Sequence, residues 1–394
     1  MKKILGTLAG AAILAATPAY ATNGMRMIGF GPVQNSMGGA SAAAPLDGTT
    51  AVSNPAGLSA VGPRFDLAAQ AFMPDVKYSM STPGPSFGGS SDRPTDFLPT
   101  LAGVYRVQDE LTLGFAALGT AGMGVDYASV PNNFGGLSRL MTSYMNGRVA
   151  PAASYKVNEQ LAVGLALNLM YAQMSFEMNG GPKVGPASSF GYGATVGVTY
   201  TPAPIVTLGV AYETKSTFQD FEDTIGGAKV AIKLDQPQVA TLGAAVRPTA
   251  GLLLAADVQW INWSDVMGAN QPKFTKQPAG FPPSFDMKWN DQWVVKVGAQ
   301  LAMPGLEALK VRAGYNYGAM PLDKTNAQAN MAFPAVSEHH VTVGAGYEVG
   351  KWAMNAAFVY SPEASTKITD PSTRTTIESK MSQTAFELGG AYRF

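Results

Sequence analysis

Few side chains in this sequence are equipped for acid–base or nucleophilic chemistry. Its only histidines, His339 and His340, are adjacent, and neighbours on an extended strand point to opposite faces, so at most one of them can reach an enclosed site. Glu338 would share a face with His340, but a hydrolase would also need that imidazole set beside a nucleophile, and no such pattern is present; no catalytic residue is assigned. The 394 residues contain no cysteine, which excludes disulfides and thiolate metal sites. No metal-ligand spacing and no glycine-rich phosphate loop between a strand and a helix occurs, so neither a metal nor a cofactor is expected. Lys and Arg number 27, balanced by 27 Asp and Glu, without the basic runs that phosphate neutralisation requires, which excludes nucleic acid as a partner. What remains are isolated bases. Lys296 and Arg312, and third Arg148, could each hold a ligand carboxylate if they faced an enclosed interior; the lumen acids Glu387, Asp257 and Glu213 could equally be their partners.

Whether such an interior exists depends on the strands. Only 14% of residues are charged, against about 25% in a soluble domain, yet overall hydropathy is near zero; low charge without high hydropathy points to alternation. Over 161–171, Leu161, Val163, Leu165, Leu167, Leu169 and Tyr171 share one face, and Ala162, Gly164, Ala166, Asn168 and Met170 the other. Over 293–301 and 309–317 the charged Lys296, Lys310 and Arg312 fall on one face only. Aromatic residues close the apolar faces, among them Tyr171, Tyr212, Trp260 and Trp293, as in the girdles of a membrane barrel.

A hairpin unit recurs. A strand closes, a short turn follows, and a second strand leaves, with closing positions Tyr105, Tyr155, Tyr200, Val246, Gln300, Tyr347 and Tyr392 at intervals of 45 to 54 residues. Seven periods of two strands predict an all-β fold, a 14-stranded antiparallel transmembrane β-barrel whose first strand covers 65–80; the even count lets the sheet close without an edge in lipid. The last strand alternates Phe386, Leu388, Gly390, Tyr392 and Phe394, which is similar to the terminal strand read by the outer-membrane barrel-assembly machinery. Lys2 and Lys3 precede an apolar run over 4–16 and Ala19-Tyr20-Ala21, a secretory signal over 1–21 that is too short to span a bilayer. The expected location is the outer membrane, in contact with its lipid and lipopolysaccharide. Long connections over 126–144, 176–188, 218–230, 267–285 and 321–336 are expected outside. They carry Phe134, Leu137, Leu140, Met141, Phe176, Met178, Phe274, Phe281, Met331 and Phe333 as candidates for an apolar capture groove.

Some 40 residues between the signal and the first strand fit no strand. They are rich in small residues, too apolar for a disordered tail, and fit a plug over 22–64 that fills the lumen of the 65–394 barrel. Asn54-Pro55-Ala56 within it resembles the hatch motif of the FadL family of outer-membrane transporters. Also similar are the segment over 99–105, the stretch from Gly114 through Gly119, Gly122 and Gly124 to Tyr127, Gln236-Pro237-Gln238-Val239-Ala240-Thr241-Leu242-Gly243, and the segment over 256–264. The resemblance implies a monomer that takes up long-chain fatty acids or other hydrophobic compounds without an energy source, is closed by the hatch, and releases substrate sideways where the third strand is kinked. In this chain Gly114, Gly119, Gly122 and Gly124 are the glycines available for that kink. An aromatic-hydrocarbon channel of the same family and a general porin for polar solutes are the alternatives.

Overall fold

The computed structural model describes residues 23–93, 95–131, 136–177, 180–278, 281–323, 325, 327–369 and 374–394. The expected signal segment therefore lies outside the described residues. Fourteen strands form the barrel: β1 (Arg64–Ser81), β2 (Asp96–Arg106), β3 (Leu111–Pro131), β4 (Leu137–Lys156), β5 (Leu161–Glu177), β6 (Val184–Ala203), β7 (Val206–Glu213), β8 (Val239–Thr249), β9 (Leu252–Ile261), β10 (Gln292–Met303), β11 (Leu306–Gly318), β12 (His339–Val349), β13 (Trp352–Thr369) and β14 (Thr376–Arg393). Each is antiparallel to its neighbours, and β14 closes on β1 from Arg64↔Arg393 to Ser81↔Thr376. Closure satisfies the backbone where no water can.

The alternation read from the sequence sets the two faces. Leu165, Leu167, Leu169, Trp293, Leu388 and their like are exposed outward, while Asn168, Lys296 and Asn316 are buried inward. Tyr105, Tyr155, Tyr200, Tyr347 and Trp352 ring the short-turn end. Phe190, Tyr192, Tyr212, Trp293 and Tyr315 ring the other, which gives the two aromatic belts of a lipid-facing wall.

Two of the expected long loops are shorter than the sequence implied. Over 126–144, β3 runs on to Pro131 and β4 starts at Leu137, with Tyr127↔Leu140 and Asp126↔Met141 still in register. Over 176–188, β5 ends at Glu177 and β6 starts at Val184. The alternation is hard to read there because the outer face has left the lipid and turned polar: Arg139 pairs outside with Asp126 at 2.7 Å. Over 218–230 and 267–285 the chain builds a small three-stranded sheet, Phe221–Ile225, Ala228–Lys233 and Lys273–Lys276, flanked by the helix α3 (Trp263–Met267).

The segment before β1 lies inside the barrel, nearly all of it buried. It contains α1 (Gly31–Ser36), α2 (Thr50–Ser53) and a 3₁₀ turn over Pro55–Ala60. Asn54 explains its own motif. Its side-chain oxygen accepts from Ala56 N at 3.2 Å and caps the turn that Pro55 begins. Its amide donates to Ala42 O at 2.7 Å and to Val198 O of β6 at 3.2 Å. Ser154 Oγ of β4 donates to Ala56 O at 2.7 Å. The plug touches the wall so closely that an added Cβ at Gly197 would stand 2.0 Å from Asn54 Oδ1, and one at Gly164 2.2 Å from Ala56 N. These two glycines face each other across β5 and β6.

Candidate functional site

Between β2 and β3 the ladder of the wall stops short of the strand ends. β2 and β3 pair only from Arg106↔Thr112 to Thr100↔Leu118. Above that, Asp96 to Pro99 pair with β1, and β3 continues its ladder with β4 through register shifts between Gly119 and Ala121 and between Tyr127 and Val130, its other side met farther out by Asp92 N, which donates to Asp126 O at 2.9 Å. A parting therefore opens between β2 and β3 just past Leu118. Gly119 sits at it, where an added Cβ would lie 2.9 Å from Leu98 Cδ2; Gly124 lies higher, where one would meet Thr142 O at 2.2 Å. Gly122 N is given over to the plug. Gly114, expected at the kink, lies instead in the regular ladder opposite Val104 and Ala152. The space left by its missing side chain is taken by Leu58 of the plug.

The beginning of the plug fills the parting from within. Met27 N donates to Thr120 O at 3.2 Å and Gly122 N to Met25 O at 3.0 Å, with Arg26 bridging Ala121, so residues 25–27 act as a surrogate strand for the edge that β2 leaves. Arg26 is fixed by Glu213 of β7 through two hydrogen bonds, 3.2 and 2.8 Å. Glu213 also accepts from Arg148 of β4. All three side chains are buried. Breaking a buried pair of this kind typically costs about 3–5 kcal/mol, because it strands a charge.

Protein groups already engage the bases expected to meet a carboxylate. Lys296 Nζ donates to Ile28 O at 3.0 Å and faces Asp257 across the ladder; Asp257 in turn accepts from Ser41 N at 2.8 Å and Ala42 N at 3.0 Å. Arg312 donates to Gln300 at 2.7 Å and Asn355 at 3.1 Å. Glu387 accepts from Asn35 at 2.6 Å. Arg148 has two buried nitrogens, Nε and Nη1, without a hydrogen-bond partner. Between the plug's start and the wall lies a cavity of about 40 Å³ lined by Arg26, Glu213, Asp257, Lys296 and Thr195, too small and too polar for a hydrophobic guest.

Above the plug the interior is apolar. Met25, Tyr127, Tyr144, Met170, Met174, Phe218, Trp263 and Trp289 belong to one buried cluster. Trp263 and Trp289 pack edge to face at 5.3 Å while their N–H groups reach Gln292 and Asn330, so the rings offer apolar faces without an unpaired donor. Methionines among them let the lining adapt its shape. At the outer end Phe176 meets Phe285 at 5.1 Å and Phe274 at 6.2 Å, Phe274 meets Phe281 at 5.8 Å, and Phe285 meets Phe333 at 6.3 Å. Of the capture candidates, then, Phe176, Phe274, Phe281 and Phe333 converge, with Phe285 as a member the sequence reading missed. Leu140, Met141 and Met331 are buried in the wall and cluster, and Leu137 points outward. Phe134 and Met178 lie outside the described residues.

The histidines separate as alternation requires. His339 lies on the outer side, with Tyr315 OH 2.6 Å from its Nδ1, and His340 is buried inside. Among the described residues no cluster of three or more His, Asp or Glu fit for a metal is present.

Residues 10–394 match the family described as outer membrane protein transport protein (OMPP1/FadL/TodX). No curated protein matches the chain. Among solved structures, the Pseudomonas putida toluene transporter TodX superposes with a TM-score of 0.73 at 20% identity, over 93% of this chain and 99% of that one. A Pseudomonas aeruginosa FadL homologue gives 0.74 at 16%, over 94% and 100%, and the monoaromatic hydrocarbon channel CymD gives 0.65 at 17%, over 95% and 99%.

Proposed function

The chain belongs to the OMPP1/FadL/TodX family of outer-membrane transport proteins, and from that premise we propose a route for the hydrophobic compounds it carries: in at the phenylalanine mouth, down the apolar lumen, and out sideways into lipid between β2 and β3. The observation that carries this reading is the ladder that ends at Leu118 and is completed by residues 25–27 of the plug. A surrogate strand held by two backbone bonds and an ion-pair cluster can be displaced, whereas a continuous ladder cannot. Apolar solutes cross a polar surface layer poorly, yet gain about 0.8 kcal/mol per CH₂ on leaving water, so an apolar mouth and an exit into lipid suffice without an energy source.

For the substrate we favour small uncharged hydrophobic compounds of the monoaromatic kind, since Lys296 and Arg312 are held by protein partners and the lumen is aromatic and methionine-rich. One observation favours the long-chain fatty acids that the sequence suggested: the two unpartnered nitrogens of Arg148, Nε and Nη1, whose N–H groups suit a carboxylate. Titration of toluene and, separately, oleate into the folded barrel, read by tryptophan fluorescence, tests both. Saturable toluene binding that survives Arg148→Gln is expected. Oleate binding that is weakened at least tenfold by Arg148→Gln, with no toluene binding, would reverse the order of the two readings.

A further inference from the structure

At the periplasmic mouth the plug leaves part of the wall uncovered. A recess of about 260 Å³ opens there between the rim of the plug, at Pro45 and Ser59–Ala60, and the ends of β4 to β8. Lys156, Ala162 and Thr199 form one cross-strand row at this level, and Thr201 and Thr207 lie just below, their hydroxyls 3.3 Å apart. Arg247 closes the far side.

Several other bases at this end are neutralised: Arg64 holds Asp66 at 2.6 Å, Arg393 holds Glu348 at 2.7 Å and Lys310 shares that same glutamate. Lys156 and Arg247 line the recess with no ion pair or side-chain hydrogen bond among the described residues, and the one acid on its rim, Glu159, is exposed on the turn and pairs with neither. Two uncompensated cations over a floor of hydroxyl groups, in a hollow open to water, form an arrangement suited to an anion: the cations supply charge-assisted hydrogen bonds, and the threonines neutral donors for the remaining oxygens. Arginine adds planar, bidentate recognition of a carboxylate or phosphate.

We propose that this recess binds a carboxylate or phosphate group presented from the periplasm, a site separate from the hydrophobic route above and independent of it. Because Ser59 and Ala60 form part of the rim, the bound group would rest against the last turn of the plug.

Calorimetry on the full-length barrel in uncharged detergent at low salt tests this, with inorganic phosphate as one probe and triglutamate peptide as the other. One saturable site is expected, weakened at least tenfold in the Lys156→Gln/Arg247→Gln double variant, while toluene binding and the heat-modifiable gel mobility of the folded barrel stay as in the parent. Peptide binding at least tenfold tighter than phosphate would identify the source as an acidic protein segment; comparable or tighter phosphate binding would identify it as a free solute. Absence of saturable binding of either probe to the parent, or equal binding by the folded double variant, would overturn the proposal.

Discussion

At the scale of single residues, Asn54 ties the plug's motif together and to the wall, because one side chain caps the 3₁₀ turn and joins it to Ala42 and to β6. Asn54→Ala removes these three bonds. With a net worth of about 1 kcal/mol per hydrogen bond, hydrogen exchange at the amides of 42–60 should accelerate tenfold or more, while strand amides far from the plug keep their protection. Equal exchange in the two proteins would mean that the motif does not anchor the plug. Asp47 provides a pH response. Burial first, and then the neighbouring Asp66, raise its carboxyl to about 6 against the opposing effects of Arg64 and of the Thr49 hydrogen bonds. A carboxyl raised on folding favours the folded plug below its unfolded value near 4, and this contribution is lost as pH rises through about 6. Plug amides should therefore exchange less readily at pH 5 than at pH 7.5 after correction for intrinsic rates, and Asp47→Asn should flatten that difference; an unchanged pH dependence in the variant would contradict the assignment. The motif was legible in the sequence as a resemblance and its hydrogen bonds were not, because the partners of Asn54 at Ala42 and Val198 are backbone groups. The same limit applies to the bases. Strand parity placed Lys296, Arg312 and Arg148 inside correctly, but which acid meets which base depends on register and on the plug, so Arg26, the residue that shares Glu213 with Arg148, went unnoticed.

At the scale of elements, the strands were readable wherever one face meets lipid and the other the lumen, and unreadable where both faces are polar, which is why β3 to β6 extend farther outward than the loop expectations allowed. Glycine was the ambiguous signal. In β3 it marks two different events, space for Leu58 at Gly114 and the parting at Gly119, and sequence cannot separate them because both require only a missing side chain. In β5 and β6, Gly164 and Gly197 make room for the 3₁₀ turn. Gly197→Ala puts a methyl where Asn54 Oδ1 now sits, so the turn must shift. Single-channel recordings should show ion conductance through the plugged lumen rising above the parent's, while Gly84→Ala in the exposed outer loop after β1, where a Cβ meets only Thr82 Oγ1 at 3.8 Å, leaves it unchanged. An unaltered conductance in Gly197→Ala would show that the plug seals without this close fit.

At the scale of the whole molecule, strand count and closure followed from period and alternation, since an even barrel is the form that leaves no strand edge in lipid. What could not be read was where the closed wall is weakest, because that depends on a ladder between distant segments, β2, β3 and residues 25–27. The proposed exit for substrate lies there. It is tested most directly in this cysteine-free chain by a Met27→Cys/Thr120→Cys pair, which joins the plug's start to β3 at positions already linked by a backbone hydrogen bond, a cross-strand pairing whose usual Cα separation of about 5.5 Å a disulfide can span. Toluene entry into proteoliposomes is then measured in the oxidised and the reduced protein. Entry that is abolished on oxidation and restored by reductant is the predicted result; entry at the parent rate with the disulfide formed would contradict the account.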